Sequence, residues 1–477
     1  MIKSNIIRLK AITSSPSTRI DPPFQLSDGV TIRRLIKESP YPTTTIGKET
    51  ERIWHAGRWK RAYVAEPSNG IPLIGSSAML RSDLSNVKLV SKKFTDDIQD
   101  KLLESGWILV SCSGTIGNTV FTNTGHAGKL ASQDVLRLKP KDILGAGYIY
   151  AYLSSKYGYA MLTQGTFGAV IQHIEPEHVA PIPIPIFPKD LRQKIDDLIW
   201  EASHLREDAD AKLKIAQRLL KQTANIRDLN SEDYNYFGTH NAKRAVSCFV
   251  RNRKDISTTS FNAFNHGERF RKTLSELDEC ETILIKDALS ESGWTSPGGV
   301  EVIELRPGNG VMLINQKDIF DIIIQGKWVP KKKKYSKDYL KYGEVLIAKI
   351  GTLGENETFC RCVFVGEELE GKLISSAFYK LSTNDRIPSG YLYCWLSSDW
   401  GFRQLRSSHF GGKLCYPNPA IMNDYKIPIL DNNTMLEIDQ MVREAHTMYH
   451  KANNKERLAI SMVEAEIESW DKNKSKK

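Results

Sequence analysis

The sequence lacks the features that would direct it to a membrane or to a disulfide-stabilised fold. No apolar run approaches the ~20 residues that a bilayer-spanning helix needs. The N-terminal stretch has no continuous apolar core of the signal-peptide kind. The cysteines are seven in number and irregularly spaced, which argues against a disulfide framework. We therefore expect a cytoplasmic protein with reduced thiols and no membrane partner.

Motifs of the common catalytic classes are also missing. The chain has no Walker loop, no His-Glu-x-x-His and no Cys-x-x-Cys pair, and its ten histidines do not cluster at ligand spacing. Residues 21–24, Asp-Pro-Pro-Phe, match the loop with which adenine methyltransferases grip a flipped base. No glycine-rich loop for a methyl donor follows a suitable strand, however, and turn formation explains the two prolines equally well. We therefore expect no catalytic residue, metal or cofactor in this chain.

What the sequence does have is an excess of positive charge. Lys and Arg number 66 against 56 Asp and Glu, which gives a net charge of +10 and a pI of about 9.0. Such a balance favours a polyanionic partner, with nucleic acid as the first candidate.

A long internal repeat is the strongest signal in the chain. The phrase GYIYAYLSSKYGY at residues 147–159 returns as GYLYCWLSSDWGF at residues 390–402, 243 positions later. Two earlier blocks recur in the same order, SGTIG as IGTLG and GKLASQDVLRL as GKLISSAFYKL. Two copies of ~200 residues are too few and too long for a solenoid. The pattern indicates a duplicated domain.

Each copy ends in a helix whose apolar and small residues step by four and three, which is a heptad seam. In the first helix the seam residues are Leu191, Ile195, Leu198, Ala202, Leu205, Ala209, Lys212, Ala216 and Leu219. In the second they are Thr434, Ile438, Met441, Ala445, Met448, Ala452, Lys455, Ala459 and Met462. Alanine in alternate layers favours close packing of the two helices on each other. The alternative is two ordinary amphipathic helices in separate cores.

These observations predict a mixed α/β fold class: two duplicated α/β domains joined by two long antiparallel helices that form a coiled-coil spacer with pseudo-two-fold symmetry. We call residues 1–188 the first head and residues 266–431 the second head. Antiparallel helices of ~32 residues would place one head at each end of a rod about 48 Å long. The expected ranges are 1–188, helix 189–224, linker 225–265, 266–431, helix 432–472 and a basic tail 473–477.

The chain resembles the specificity subunits of type I restriction–modification systems. The resemblance lies in GWILVSCSGTIG (residues 106–117), in the QGTFGAVIQHIEPEHVAPIPIPIFP run (residues 164–188) that enters a helix, and in the duplicated architecture. It covers residues 30–470, although the second copy has HFGGKLCYPNPAI in place of TFGAVIQHIEP. It implies two target-recognition domains that each bind half of a split DNA sequence, with the helices as spacer and as docking surface for methyltransferase subunits.

Candidate DNA contacts are basic and hydrogen-bonding side chains next to glycines or aromatics. Lysine and arginine neutralise phosphates, and arginine also recognises guanine edges. In the first head the candidates are Arg58, Lys60, Arg61, Ser113, Thr115, Gln164 and Thr166. In the second head they are Lys331, Lys332, Lys333, Lys334, Lys349, Thr352, Ser408, His409 and Lys413. The alternative for each residue is an exposed side chain that makes no contact with DNA.

The resemblance also implies the partners. They are double-stranded DNA, two methyltransferase subunits and, in a full system, restriction subunits, in a bacterial or archaeal cell. S-adenosylmethionine, ATP and Mg are then expected in those partners and not in this chain. Two other functions stay open: a similar DNA-recognition module in another phage-defence complex, and a DNA methyltransferase or nuclease with unrecognised catalytic residues.

Overall fold

The computed structural model describes residues 20–141, 144–164, 173–237, 248–256 and 259–474. The fold is mixed α/β, as predicted. It divides into two units, the first made of the described residues of Met1–Glu207 and Lys451–Lys477 and the second of those of Asp208–His450. Each head therefore lies in its own unit, and both long helices contribute residues to both units.

The first head contains two four-stranded sheets and one two-stranded sheet. Their strand orders are β2-β9-β6-β7, β3-β5-β4-β8 and β1-β10, and all pairs are antiparallel except β4 with β8. Strand β6 (ILVS) is buried on both faces because it lies between two neighbours under the helices. The strands are β1 (Thr43–Thr45), β2 (Thr50–Trp54), β3 (Tyr63–Val64), β4 (Gly70–Ile74), β5 (Leu89–Ser91), β6 (Ile108–Ser111), β7 (Thr119–Phe121), β8 (Leu130–Ala131), β9 (Val135–Pro140) and β10 (Pro183–Pro185).

The helices of the first head cover the β6 sheet. The repeated aromatic stretch at residues 147–159 forms parts of two helices that break at Ser155, whose hydroxyl donates to the Tyr152 carbonyl at 2.6 Å. The helices are α1 (Pro22–Gln25), α2 (Asp28–Lys37), α3 (Ile46–Glu49), α4 (Ile98–Lys101), α5 (Ala146–Ser154), α6 (Lys156–Gln164) and α7 (Pro176–Val179), with short 3-10 turns at Pro67–Asn69 and Ala78–Leu80. The Asp21 carboxylate accepts from the Phe24 amide and caps α1, which is the turn chemistry expected for Asp-Pro-Pro.

The described part of the second head repeats the first four-stranded sheet and the two-stranded sheet, but its remaining larger sheet has three strands in place of four. Its sheets have the orders β12-β18-β15-β16, β14-β13-β17 and β11-β21, with a small β19-β20 hairpin. The strands are β11 (Thr282–Leu284), β12 (Leu289–Thr295), β13 (Val311–Ile314), β14 (Lys327–Val329), β15 (Val345–Ala348), β16 (Cys362–Phe364), β17 (Leu373–Ile374), β18 (Phe378–Thr383), β19 (His409–Phe410), β20 (Tyr416–Pro417) and β21 (Lys426–Pro428). The helices are α10 (Glu268–Ser275), α11 (Ile285–Ala288), α12 (Ser389–Ser397), α13 (Asp399–Ser407) and α14 (Pro419–Met422), with 3-10 turns at Ala263–His266 and Lys333–Tyr335. Between the first long helix and this head lie α9 (Ser231–Phe237) and a 3-10 turn at Arg253–Asp255.

Equivalent contacts confirm the duplication at the level of side chains. The Asp196 carboxylate accepts from the Gly147 amide at 2.7 Å, and Asp439 accepts from Gly390 at 2.6 Å. Each of these four residues lies 243 positions from its counterpart. A carboxylate at a helix start satisfies amides that have no partner within the helix. Both heads therefore dock on a long helix through the same bond.

A glycine at the corner between two helices is likewise shared. An added Cβ at Gly158 would lie 2.2 Å from the Tyr152 carbonyl oxygen, and one at Gly401 would lie 2.1 Å from that of Trp395. These distances fall far inside van der Waals contact and the neighbour in each case is backbone. Glycine is therefore required where α5 meets α6 and where α12 meets α13.

The long helices are α8 (Lys189–Thr223) and α15 (Asn432–Lys474). The alanines predicted to form close layers, Ala202, Ala209 and Ala216 with Ala445, Ala452 and Ala459, are all fully buried. The flanking seam positions shift by one residue: Ile199 and Leu220 are buried, whereas Leu198 and Leu219 are only partly so. An α-helix drifts relative to a strict heptad, and these ends also pack into the heads.

Matched ion pairs join the two helices within each unit. In the second unit Lys212 Nζ lies 2.7 Å from Glu444, and in the first Lys455 Nζ lies 2.5 Å from Glu201. Both lysines were predicted as seam residues, and the two pairs are related by the 243-residue repeat. The first unit contains a further, buried ion pair, in which Arg206 lies 2.6 Å from the Glu456 carboxylate. This carboxylate also accepts a hydrogen bond from the Tyr150 hydroxyl at 2.6 Å.

The proline-rich entry to each long helix contains a short strand, although proline removes ladder donors. Residues Pro183–Pro185 form β10, which pairs with β1, and Lys426–Pro428 form β21, which pairs with β11. Each of these strands lies in a sheet of two strands, so its prolines do not interrupt the interior of a larger sheet.

Candidate nucleic-acid interface

The basic segment at residues 58–61 lies on the surface of the first head, before β3. Arg58 and Lys60 are exposed. Arg61 lies 3.8 Å from the Asp134 carboxylate and donates to Gln133, and its guanidinium lies 5.6 Å from the centre of the Trp59 ring. Arg61 is therefore held by its own head, while its two basic neighbours extend toward solvent.

The turn between β6 and β7 lies next to this segment. The Cys112 amide donates to the Asp134 carbonyl at 3.0 Å, so the turn and Arg61 share one neighbour. Gly114 and Gly117 have φ of 76° and 84°, which only glycine adopts readily. Ser113 is half-buried and forms a bridge with His173, whereas Thr115 is exposed at the tip. The structure thus brings two of the predicted segments together.

Gln164 lies at the C-terminal end of α6, next to Thr163, which packs against Gly117 of the β6-β7 turn. Its side chain is 5% exposed, and its Oε1 accepts from Arg33 Nε at 3.4 Å. Arg33 also donates to the Pro181 carbonyl at 2.9 Å, and burial lowers the pKa of its guanidinium. In this conformation Gln164 supports the helix, and its role in base recognition stays a prediction. Thr166 lies outside the described residues.

In the second head the equivalent turn and the β19-β20 hairpin are joined. Gly351 and Cys415 exchange two backbone hydrogen bonds, of 3.2 and 2.7 Å. Thr352, which occupies the position of Thr115, is exposed, as is Lys413 in the hairpin. Lys349 donates to the Ser296 hydroxyl, and desolvation by burial lowers its pKa.

The start of the hairpin is buried. Ser408 donates to the Leu405 carbonyl at 2.7 Å, and His409 Nδ1 lies 3.1 Å from the Arg406 carbonyl. Their contact with DNA also stays a prediction. Beside them Phe410 is 48% exposed and stacks on Tyr416 with ring centres 5.8 Å apart. Sequence analysis missed this aromatic pair, although its two rings flank the Gly-Gly-Lys tip.

The lysine run is exposed but partly neutralised. Lys331 and Lys333 are exposed, whereas Lys332 and Lys334 lie 2.5 and 3.7 Å from the Glu301 carboxylate. The hydrogen bond raises the pKa of Lys332 and lowers that of Glu301. The positive potential of this run is therefore less than four lysines suggest.

A loop and a group of arginines in the second head also escaped sequence analysis. Glu355, between β15 and β16, contacts Arg361, Arg403 and Arg406. The only signals in the sequence were the change of repeat offset across this loop and two arginines three residues apart on one helix.

The described part of the chain contains no group of three or more His, Cys, Asp or Glu side chains arranged to hold a metal ion. Its helices include none that is long and apolar enough to cross a membrane.

Comparison with known proteins agrees with the sequence resemblance. Residues 52–199 match the family model described as "Type I restriction modification DNA specificity domain". This confirms the resemblance to type I specificity subunits and assigns a DNA specificity domain to the segment that contains Arg58, Arg61 and the β6-β7 turn. No curated protein matches the sequence.

Solved structures of the same class are similar to this chain over most of its length. A type I restriction–modification S subunit from M. genitalium is 13% identical, with 91% of this chain and 94% of that one covered and a TM-score of 0.32. An HsdS subunit from Thermoanaerobacter tengcongensis is 11% identical, with 90% and 99% covered and a TM-score of 0.28. The resemblance to the family rests on the match of residues 52–199 and not on these structures.

Proposed function

We propose that this chain is a non-catalytic specificity subunit that recognises a bipartite sequence in double-stranded DNA, one half with each head. The observation that carries the proposal is that the two heads share a repeated scaffold but have different surface loops. Residues 52–199 match a DNA specificity domain, and the second head has the same strand order in its four-stranded sheet with different loops. A duplicated domain whose loops differ is suited to two different half-sites.

The equivalent threonines provide a test of this division. Thr115 and Thr352 are exposed at matching turns of the two heads. If each head recognises its own half-site, Thr115→Ala should relax one half and Thr352→Ala the other, by up to about tenfold at one base pair. Selection of bound duplexes from a randomised library by the full chain would measure both. Loss of both halves in either folded single variant would contradict the division.

Phosphate contacts should be separable from base contacts. Replacing Lys331 and Lys333 with Ala should weaken binding to all duplexes equally and reduce the salt slope, because each phosphate contact releases counterions. The matched control is Lys332→Ala, whose ammonium is paired with Glu301 and should matter less. If the salt dependence of DNA binding is unchanged when Lys331 and Lys333 are replaced, these lysines do not contact phosphates.

The long helices serve in this proposal as the spacer between half-sites. Residues of both helices join the core of each head, among them Leu220 and Ile438 in the second. Both helices must therefore be lengthened together. One heptad inserted after Glu207 and another after His450 would keep the seam in phase and add ~10 Å. The gap between half-sites should then grow by about three base pairs. If the gap between the half-sites is unchanged, the long helices do not set the spacing.

Partner subunits are proposed to dock on the helices at two equivalent points. Ile215 and Leu458 lie 243 positions apart and are 49% and 48% exposed, so the two long helices present an apolar side chain at equivalent points. The similar structures include one titled for complex assembly of a type I system. We expect Ile215→Lys and Leu458→Lys each to remove one of two methyltransferase subunits, counted by native mass spectrometry. Leu436→Lys is the matched control, since Leu436 is 49% exposed and has Gln193 as its counterpart.

The decisive assay for the class of protein uses the purified chain alone. Sequence-selective DNA binding without methyl transfer or cleavage supports a specificity subunit. Methyl transfer or cleavage by the chain without partners would instead support an enzyme. Co-purification with catalytic subunits other than methyltransferases would assign the chain to a different defence complex.

A further inference from the structure

The loop between β15 and β16 in the second head is longer than its counterpart in the first. Five residues separate Gly114 from Val120, whereas eleven separate Gly351 from Val363. The strand registers make these positions equivalent, since Val120 pairs with Leu109 and Val363 with Leu346. The extra residues lie around Glu355–Cys360, directly after the exposed turn that contains Thr352.

Three arginines converge on this loop, and we call them the arginine clamp: Arg361, Arg403 and Arg406. Arg403 donates to the Glu355 carboxylate at 3.1 Å, and Arg406 lies 3.4 Å from its other oxygen. Arg361 donates to the Glu355 main-chain carbonyl at 2.7 Å. The side chain and the backbone of one loop residue are therefore both fixed.

The clamp is buried, although burial of guanidinium groups is costly. Arg403 and Arg406 are 8% and 5% exposed, and the nitrogens of Arg406 make the ion pair without a hydrogen bond of good geometry. The Arg361 guanidinium lies 3.6 Å from the centre of the Phe402 ring. Removal of Glu355 alone would take from buried Arg406 the carboxylate it pairs with, and loss of one partner of a buried ion pair strongly destabilises proteins. An arrangement of this cost fixes geometry more than it adds stability.

The described residues of the first head include no such arrangement. The positions of Arg403, Arg406 and Arg361 are occupied there by Ala160, Thr163 and Asn118. Phe402 is 1% exposed under the clamp, whereas its counterpart Tyr159 is 47% exposed. The clamp and the longer loop thus occur together in one head and are absent together from the other.

The loop is anchored at its far end and polar at its tip. Phe359 and Cys360 are fully buried, and Gln316 Nε2 lies 2.6 Å from the Ile350 carbonyl and 3.3 Å from the Thr358 hydroxyl. Asn356 and Glu357 are exposed between these anchors. An asparagine amide matches the adenine edge and a carboxylate accepts from cytosine N4, while a carboxylate would be repelled by phosphates.

We propose that Glu355–Cys360 is a base-recognition loop specific to the second head, in which Asn356 and Glu357 contact base edges in the major groove. Arg361, Arg403 and Arg406 act as positioning residues. The inference rests on the proposed function and deepens it, because it names which residues distinguish the second half-site from the first.

Selection of bound duplexes by the full chain tests the loop tip first. In Asn356→Ala/Glu357→Ala the clamp is intact, and we expect about tenfold loss of discrimination at one or two base pairs. These must lie in the half-site that Thr352→Ala relaxes and not in the one that Thr115→Ala relaxes. The matched control is Lys286→Ala, which removes an exposed pair with Asp424 in the same head and should leave both halves unchanged.

The clamp is tested by a variant that replaces Arg403 and Arg406 with the residues of the first head and neutralises Glu355, so that no buried charge loses its partner. Glu355→Gln/Arg403→Ala/Arg406→Thr should relax the same base pairs as the tip variant and keep the first half-site. The inference is overturned if the tip variant and the folded clamp variant both retain the full second half-site. If the unmodified chain selects no bipartite sequence at all, it is the proposed function that fails.

Discussion

The two heads contain a basic side chain at the same buried position but balance its charge in different ways. Arg137 on β9 is fully buried, donates to the Ala131 carbonyl and lies 5.9 Å from the centre of the Trp54 ring. Its counterpart Lys380 on β18 lies 3.2 Å from the Glu344 carboxylate. Burial lowers the pKa of Arg137 to about 10. The scaffold therefore fixes where a cation lies, and each head has its own means of holding it there.

The largest loss of stability should come from removing the carboxylate that balances the buried cation in the second head. In Glu344→Gln, Lys380 loses its buried partner, and we expect about 3 kcal/mol of destabilisation of the second head. The equivalent residue in the first head is Trp107, where Trp107→Phe should cost less than about 1.5 kcal/mol because no charge is left unpaired. Hydrogen–deuterium exchange reports each head separately. Equal losses of stability in Glu344→Gln and Trp107→Phe would mean that the buried ion pair does not distinguish the second head from the first.

The shared corner glycines should show the opposite behaviour, with both heads affected alike. Gly158→Ala and Gly401→Ala each place a Cβ against a backbone carbonyl and should cost about 2–3 kcal/mol in their own head. Gly57→Ala and Gly299→Ala are the controls, because an added Cβ meets nothing within 4 Å at either site. A clear loss in one head only would contradict the structural equivalence of the two corners.

Asp196 and Asp439, whose carboxylates accept hydrogen bonds from helix amides, should differ in their contribution to the stability of the two heads. Asp196→Ala should destabilise the first head by about 1 kcal/mol, as for loss of a helix cap. Asp439→Ala should cost more, because Asp439 also accepts from Arg443 Nε at 2.6 Å. Urea unfolding followed by exchange in each head measures both. If Asp196→Ala proves the more costly, the second amide bond of Asp196, from Tyr148 at 3.3 Å, outweighs the Arg443 bond.

The smallest effects belong to the symmetric ion pairs of the long helices. Lys212→Ala and Lys455→Ala should each cost less than about 0.5 kcal/mol, because their partners are largely exposed. The hydrogen bond from Lys212 lowers the pKa of the Glu444 carboxyl, so Lys212→Ala should raise that pKa. An NMR titration detects this change even where stability does not respond. An unchanged pKa would show that the pair does not form in solution.

The duplication, the two long helices and their alanine layers followed from the sequence because each is a periodic pattern. The exact packing at Ile199 and Leu220 did not, since helix drift and contact with the heads decide which neighbour is buried. The burial of Gln164 depends on Arg33, 131 residues away, and no local pattern reports such a contact. The arginine clamp was hidden for the same reason, because Glu355 and Arg403 meet only when the second head folds.

The most direct test of the two-head account is the methylation pattern of host DNA with and without this chain, in the presence of its partner subunits. The account predicts a new motif of two short specified blocks with an unspecified gap, of which Thr352→Ala alters only one block. A single continuous motif, or a variant that alters both blocks while the protein remains folded, would contradict it.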